Sequence, residues 1–229
     1  MSYGGAMETN GTSPVSQSPE TSIKNPDTSL RNRILESSRQ RFFAEGFSRI
    51  SVDEISSSLG ISKKTFYKVF SSKEDLLKQV IEQMLMDAKG RLEGIVNGEG
   101  DFVPKLKDLL GMIVRFNSTV SKEFLHDIQK FTPELWTYIE NFRRERVLGV
   151  FGRLIDQGIL EGDIRHDINR RILQLAHLNA IEQIVRPQVL VHESFSASEA
   201  VETISDIFLT GAMTEEGKRR FNAKGKMKK

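Results

Sequence analysis

Between positions 62 and 70 the chain sets Lys63, Lys64, Thr65, Tyr67 and Lys68 among Phe66, Val69 and Phe70. Ammonium groups donate to phosphate oxygens and to the acceptors on guanine, so a cluster of this kind suits a polyanion whose edges can be read. With Ser62 as origin and a helical advance of about 100° per residue, Phe66, Val69 and Phe70 share one arc. Lys63, Lys64, Tyr67 and Lys68 take the opposite arc. One face packs, and the other is cationic with an aromatic hydroxyl. Three lysines by themselves also fit an ordinary solvated helix face, and the elements around them decide between the two readings.

Those elements form a short helix, a tight turn, the lysine helix, and the capped start of a longer helix, which is the layout of a helix-turn-helix. Val52, Ile55 and Leu59 repeat at i, i+3 and i+7 as one apolar stripe. Gly60 then stands where the chain must leave the helix with positive φ, and Ile61 returns to the core. Ser62 can accept a free amide of the next helix start. Upstream, Thr28 or Ser29 is placed to cap a first helix that turns Ile34, Leu35, Phe42 and Phe43 inward and stops at Gly46. Downstream, Ser71 with Glu74 reads as a capping box opening a fourth helix through Leu77, Val80, Ile81 and Met84 towards Gly98. Lys73 near its start can pair with phosphate, assisted by the helix dipole.

This ordered set resembles the amino-terminal pattern of the TetR family of bacterial transcriptional regulators. Arg33-Ile34-Leu35, Phe42-Phe43 and Gly46-Phe47 open the pattern, and Ile50-Ser51-Val52, Glu54-Ile55 and Leu59-Gly60-Ile61-Ser62-Lys63 continue it. Thr65-Phe66-Tyr67, Phe70 and Ser72-Lys73-Glu74 with Leu76 complete it. The resemblance covers about Arg33 to Leu77. It implies an all-α protein, with an N-terminal three-helix helix-turn-helix DNA-binding domain followed by a larger helical ligand-binding and dimerisation domain. By the same resemblance Ser51, Tyr67 and Lys73 are phosphate-side candidates, beside Lys63, Lys64, Thr65 and Lys68 as base-edge candidates. The chain departs from the family pattern at Ser56, where Ala is frequent, at Lys64, where a small residue is frequent, and at Val69, where His or Tyr is frequent. An operator sequence therefore does not carry over.

The charge distribution fits a reader mounted on a different module. Residues 30–80 hold ten Lys/Arg against six Asp/Glu, and residues 218–229 hold seven against none, while the formal net charge is only +2. The stretch between, residues 81–217, is acidic. Such a footprint is expected of nucleic-acid binding. Without cysteine there is no disulfide framework, thiolate metal site or thiol nucleophile. No apolar run reaches the roughly 18 residues of a membrane span, and the polar start lacks a secretory pattern, so a cytoplasmic protein is expected. His126, His166, His177 and His192 lack metal-binding spacing, and neither G-x-S-x-G nor a phosphate-cradling glycine loop occurs. Neither a cofactor nor an enzymatic activity is expected. Of the rival readings, an unrecognised enzyme would lack each of those motifs, and a helical scaffold or ligand-binding protein without sequence-specific DNA binding leaves the cationic face unexplained.

Four regions follow: a disordered arm over residues 1–27, the DNA-binding domain over 28–75, the effector-binding and dimerisation domain over 76–214, and a basic, loop-like tail over 215–229. In the third, helices are expected around Leu106 to Val114 and Phe124 to Phe131. A long helix is capped by Thr132, begins at Pro133 and closes at Gly158. Another opens at Asp167, and a last one is capped by Ser196 with Glu199. The Asp167 helix is apolar on nearly every side, so one face is expected to pack internally and the other to meet a second copy of the chain. A homodimer would set two short reading helices about 34 to 36 Å apart on a pseudo-palindromic duplex. Phe116, His126, Phe131, Trp136, Tyr138, Phe142, His177, Asn179 and Gln183 are the ligand-binding candidates, since aromatics with a few polar groups suit a small apolar or amphipathic effector.

Overall fold

The computed structural model describes residues 26–223, and over that range the chain is helical. The reader region comprises α1 (Pro26–Glu45), α2 (Val52–Ser58), α3 (Lys63–Val69) and the first turns of α4 (Lys73–Asn97). The body adds α5 (Phe102–Ser118), α6 (Lys122–Phe131), α7 (Pro133–Arg146), a π-helical turn (Val147–Phe151) and α8 (Gly152–Leu160). It ends with α9 (Arg170–Ile184), α10 (Pro187–Leu190), α11 (Ala197–Ala212) and α12 (Glu215–Asn222). Among the described residues the sole extended pairing is an isolated bridge between Ile164 and Met213.

Several element ends differ from the sequence expectation, each for a local reason. Helix α1 starts at Pro26, so Thr28 and Ser29 lie inside it and do not cap it; proline's fixed φ suits a first helical position. The cap of α4 is Ser72, which accepts the Asp75 amide at 3.0 Å, while the Ser71 amide donates to the Asp75 carboxylate at 2.9 Å. That places the reciprocal bonding one residue later than a Ser71–Glu74 box. The Thr132 hydroxyl donates back to the Ile128 carbonyl at 3.0 Å. Gly158 does not close its helix, which runs on to Leu160 and turns at Gly162. A Cβ at Gly158 would lie 2.8 Å from Ile164 and 2.9 Å from the Phe102 ring, so close packing selects glycine there. Helix α9 is capped by Asn169, and Asp167 instead pairs with Arg165 at 3.1 Å. Part of the expected loop-like tail is α12, capped by Thr214 through the Gly217 amide at 3.0 Å. The remaining tail, residues 224–229, and the arm of residues 1–25 lie outside the described residues.

The core beneath the reader continues beyond residue 75. Ile34, Phe42, Phe66, Phe70 and Leu76 are buried together with Phe124 and Ile128 of α6, and Leu135, Trp136, Ile139 and Phe142 of α7 pack at its edge. A second apolar cluster joins Phe102, Leu106, Leu154, Ile155, Ile164 and Leu209, and a third joins Ile181, Leu190, Val201 and Ile204. Burying each phenylalanine contributes on the order of 2 kcal/mol, so α3 is held on its inner face by Phe66 and Phe70 rather than by intrinsic propensity, which a seven-residue helix lacks.

Candidate nucleic-acid interface

The turn between α2 and α3 is built from glycine geometry and two caps. Gly60 has φ +65, the Gly60 amide donates to Ser57 O at 3.2 Å, and the Ile61 amide donates to Ser56 O at 3.0 Å, a Schellman closure of α2. Ser62 then caps α3 by accepting the Thr65 amide at 3.0 Å. At the other end of α2, Ser51 and Glu54 form a full capping box: Ser51 Oγ accepts the Glu54 amide at 3.2 Å, and the Ser51 amide donates to Glu54 at 2.7 Å. The Ser51 amide and, at 2.8 Å, the Ser51 hydroxyl both donate to the Glu54 carboxylate and hold that carboxyl below its usual value.

On α3 the inward arc is Phe66, fully buried, with Val69 half-buried and the capping Phe70 buried behind it. The outward arc carries Lys63, Lys64, Tyr67 and Lys68, all exposed, with Tyr67 at 53%. The Tyr67 ring stands edge-on to Phe66 at 5.3 Å, which fixes the ring and leaves its hydroxyl outward. Among the described residues Lys64 and Lys68 make no ion pair, whereas Lys63 pairs with Asp53 at 2.6 Å. The Thr65 hydroxyl lies 2.9 Å from Ser62 Oγ, within the cap. The structure thus brings Ser51, Lys63, Lys64, Thr65, Tyr67 and Lys68 to the α2–α3 unit.

Lys73 is placed differently from the phosphate-side expectation. Its ammonium donates to Phe47 O at 3.0 Å and Ile50 O at 2.9 Å and lies 4.2 Å from the centre of the Phe47 ring. Burial lowers its pKa from the ordinary lysine value. Two of its three donors are spent on the turn between α1 and α2, so Lys73 ties that turn to α4. Asp127 was not anticipated; its carboxylate accepts the Ser48 amide in the same turn at 2.7 Å from a position 79 residues away. No local sequence signal marks such a contact.

The effector candidates do not converge on one cavity. Phe116 packs edge-on to Phe43 at 6.5 Å, His126 is exposed beside Asp127, and Phe131 is 51% exposed under Lys130. Trp136 belongs to the edge of the reader core. His177 is buried between Phe151 and Phe208, with Nε2 3.1 Å from Ser205 Oγ, while Asn179 and Gln183 of the same helix are exposed. Burial lowers the His177 pKa to about 4. Tyr138 and Phe142 do share a site, an open cleft of about 410 Å³ between α4 and α7 with Leu85, Met86 and Arg146.

A basic helix held by its aromatic inner face after a Gly-closed turn defines a helix-turn-helix DNA-binding protein. Residues 34–80 match the family model described as bacterial regulatory proteins, tetR family. That match gives residues 34–80 the helix-turn-helix of the TetR type, the DNA-binding part of a transcriptional regulator. The chain is similar to the uncharacterized HTH-type transcriptional regulator YvaF of Bacillus subtilis (strain 168), with 25% identity over 188 residues, 82% of this chain and 97% of that one. Its fold is that of a TetR-family transcriptional regulator from Agrobacterium tumefaciens, at TM-score 0.62 and 16% identity, covering 82% of this chain and 100% of the other. A putative transcriptional regulator from Saccharomonospora viridis in complex with choline shares it at TM-score 0.60 and 17% identity, with the same coverage.

Proposed function

We propose that the protein is a homodimeric repressor that reads a pseudo-palindromic operator with two copies of α3 and is released by a small apolar or amphipathic effector, acting in the cytoplasm. The observation that carries the DNA reading is the exposed row Lys64, Tyr67 and Lys68 on a helix anchored by Phe66 and Phe70. Ammonium groups there reach phosphates and guanine acceptors, and Tyr67 adds a hydroxyl at the backbone. Dimerisation is supported by Ile172 on α9 and Ile207 on α11, which are 65% and 62% exposed in the single chain. Large aliphatic side chains exposed on two helices that pack together fit contact with a second copy.

For the effector, the cleft between α4 and α7 is the best-supported place. Its walls combine Tyr138, Phe142, Leu85 and Met86 with Glu82 and Glu145, a lining that suits an amphipathic molecule. One wall is α4, the helix that carries the reader, and a ligand that fits only one spacing of α4 and α7 would bias the spacing of the two reading helices. The binding of choline by a similarly folded regulator supports a small-molecule role for this kind of body.

The test is selection of duplexes from a random DNA pool by the purified protein at several salt concentrations. The expected result is a pseudo-palindrome bound with a steep salt slope. Recovery of no common sequence at any salt concentration would count against a DNA reader.

A further inference from the structure

The turn Phe47–Ile50 joins α1 to α2 and so sets the direction in which the helix-turn-helix leaves α1. Side chains from two other elements grip it. Lys73 of α4 donates to the carbonyls of Phe47 and Ile50, and Asp127 of α6 accepts the Ser48 amide at 2.7 Å. Asp127 is only 6% exposed, so that charge-assisted bond is shielded from water. The backbone around it is fitted to the same contact. The Ser121 amide at the start of α6 donates to Phe43 O in the last turn of α1 at 2.8 Å, pairing a free amide of one helix end with a free carbonyl of another. Gly46 has φ +93, and a Cβ there would lie 3.0 Å from Asp127 Oδ2 and 3.3 Å from Glu123 Cβ. Phe43 and Phe124 pack beneath at 4.8 Å between ring centres.

We infer that Asp127 is a positioning residue for DNA recognition: with Lys73 it fixes the turn that aims α2 and α3. The inference rests on α3 being the reading helix. Nothing in the local charge balance would produce the same effect. Removing a carboxylate from a DNA-binding protein strengthens its attraction to phosphate, whereas removing a positioning group weakens binding of the correct site. The two accounts therefore differ in sign.

The experiment measures the affinity of the full chain and its variants for the duplex that the wild-type protein selects from a random pool, by fluorescence anisotropy across salt concentrations. Melting by circular dichroism and sedimentation report fold and assembly. Asp127→Ala is expected to weaken binding by about tenfold, the loss of one charge-assisted hydrogen bond, with an unchanged salt slope because no phosphate contact is lost. Asp127→Asn keeps an acceptor for the Ser48 amide and is expected to bind within about threefold of wild type. Asp127→Glu keeps the charge but drives the carboxylate one methylene further into a turn with no room at Gly46, and is expected to weaken binding as the alanine variant does. Should Asp127→Ala fail to fold, the contrast between the Glu and Asn variants carries the test. Folded Ala or Glu variants that bind as tightly as wild type, or more tightly, would overturn the positioning role alone. Failure of the wild-type protein to select any duplex would overturn the DNA reading and this inference together.

Discussion

The individual side chains of the reader divide into those free to meet DNA and those already committed to the protein. Lys64 and Lys68 are exposed without an ion pair among the described residues, and each is expected to give up about one unit of salt slope when replaced by alanine if it meets phosphate. Lys64→Ala or Lys68→Ala with unchanged slope and relaxed sequence preference would assign that lysine to a base edge instead. Lys73 belongs to the other group, since its donors are held by Phe47 and Ile50 carbonyls. Lys73→Met should lower the melting temperature as well as DNA affinity, measured on the same preparation. Ser56, where the family pattern frequently has alanine, is 3% exposed, and its hydroxyl has no partner. Ser56→Ala is expected to stabilise the protein by about 1 kcal/mol, read as a raised melting temperature, because a buried unsatisfied hydroxyl is removed. His177 gives a pH dependence of definite sign. Its folded pKa of about 4 lies below the ordinary 6.5, so the unfolded chain takes the proton first as pH falls. Stability is therefore lost between about pH 6.5 and 4, by up to roughly 3 kcal/mol, and His177→Gln should flatten that part of the melting-temperature profile.

At the scale of elements, helix ends and turns determine where the reading face points. Gly60 and Gly46 both take positive φ, but their surroundings differ. A Cβ at Gly60 would meet nothing within 4 Å, whereas one at Gly46 would press on Asp127 and Glu123. Gly60→Ala is expected to cost about 1 kcal/mol from backbone strain alone, and Gly46→Ala more, with greater loss of operator affinity because the turn ahead of α2 must shift. Denaturant unfolding and anisotropy on the two variants would check both orderings. These turns were largely legible in the sequence, because Gly60 and Ser62 act on neighbours within a few residues. The π-helical turn over Val147–Phe151 was not legible, nor was the reason for Gly158, since close packing against Phe102 and Ile164 depends on residues far along the chain.

For the whole molecule, the proposed homodimer rests on the exposed Ile172 of α9 and Ile207 of α11. Replacing both by lysine is expected to yield monomers in sedimentation velocity. Operator affinity should fall by about a hundredfold or more, because two linked reading helices lose the effective concentration that joins them. Dimers with undiminished affinity would place the interface elsewhere. The reader and body also share one apolar core, to which α6 contributes Phe124 and Ile128.

Sequence alone determined the helical class, the helix-turn-helix, and the split of α3 into a buried aromatic face and an exposed basic one. Each of these depends on interactions within about one helical turn or on the period of apolar residues. Tertiary structure decided the rest: that Lys73 turns inward, that Asp127 holds the turn ahead of α2, and that Tyr138 and Phe142 share a cleft while Trp136 and His177 are packed elsewhere. Those outcomes follow from which distant segments meet, and residue type constrains that only weakly: an aromatic or histidine side chain can fill a core or line a cleft with equal chemistry.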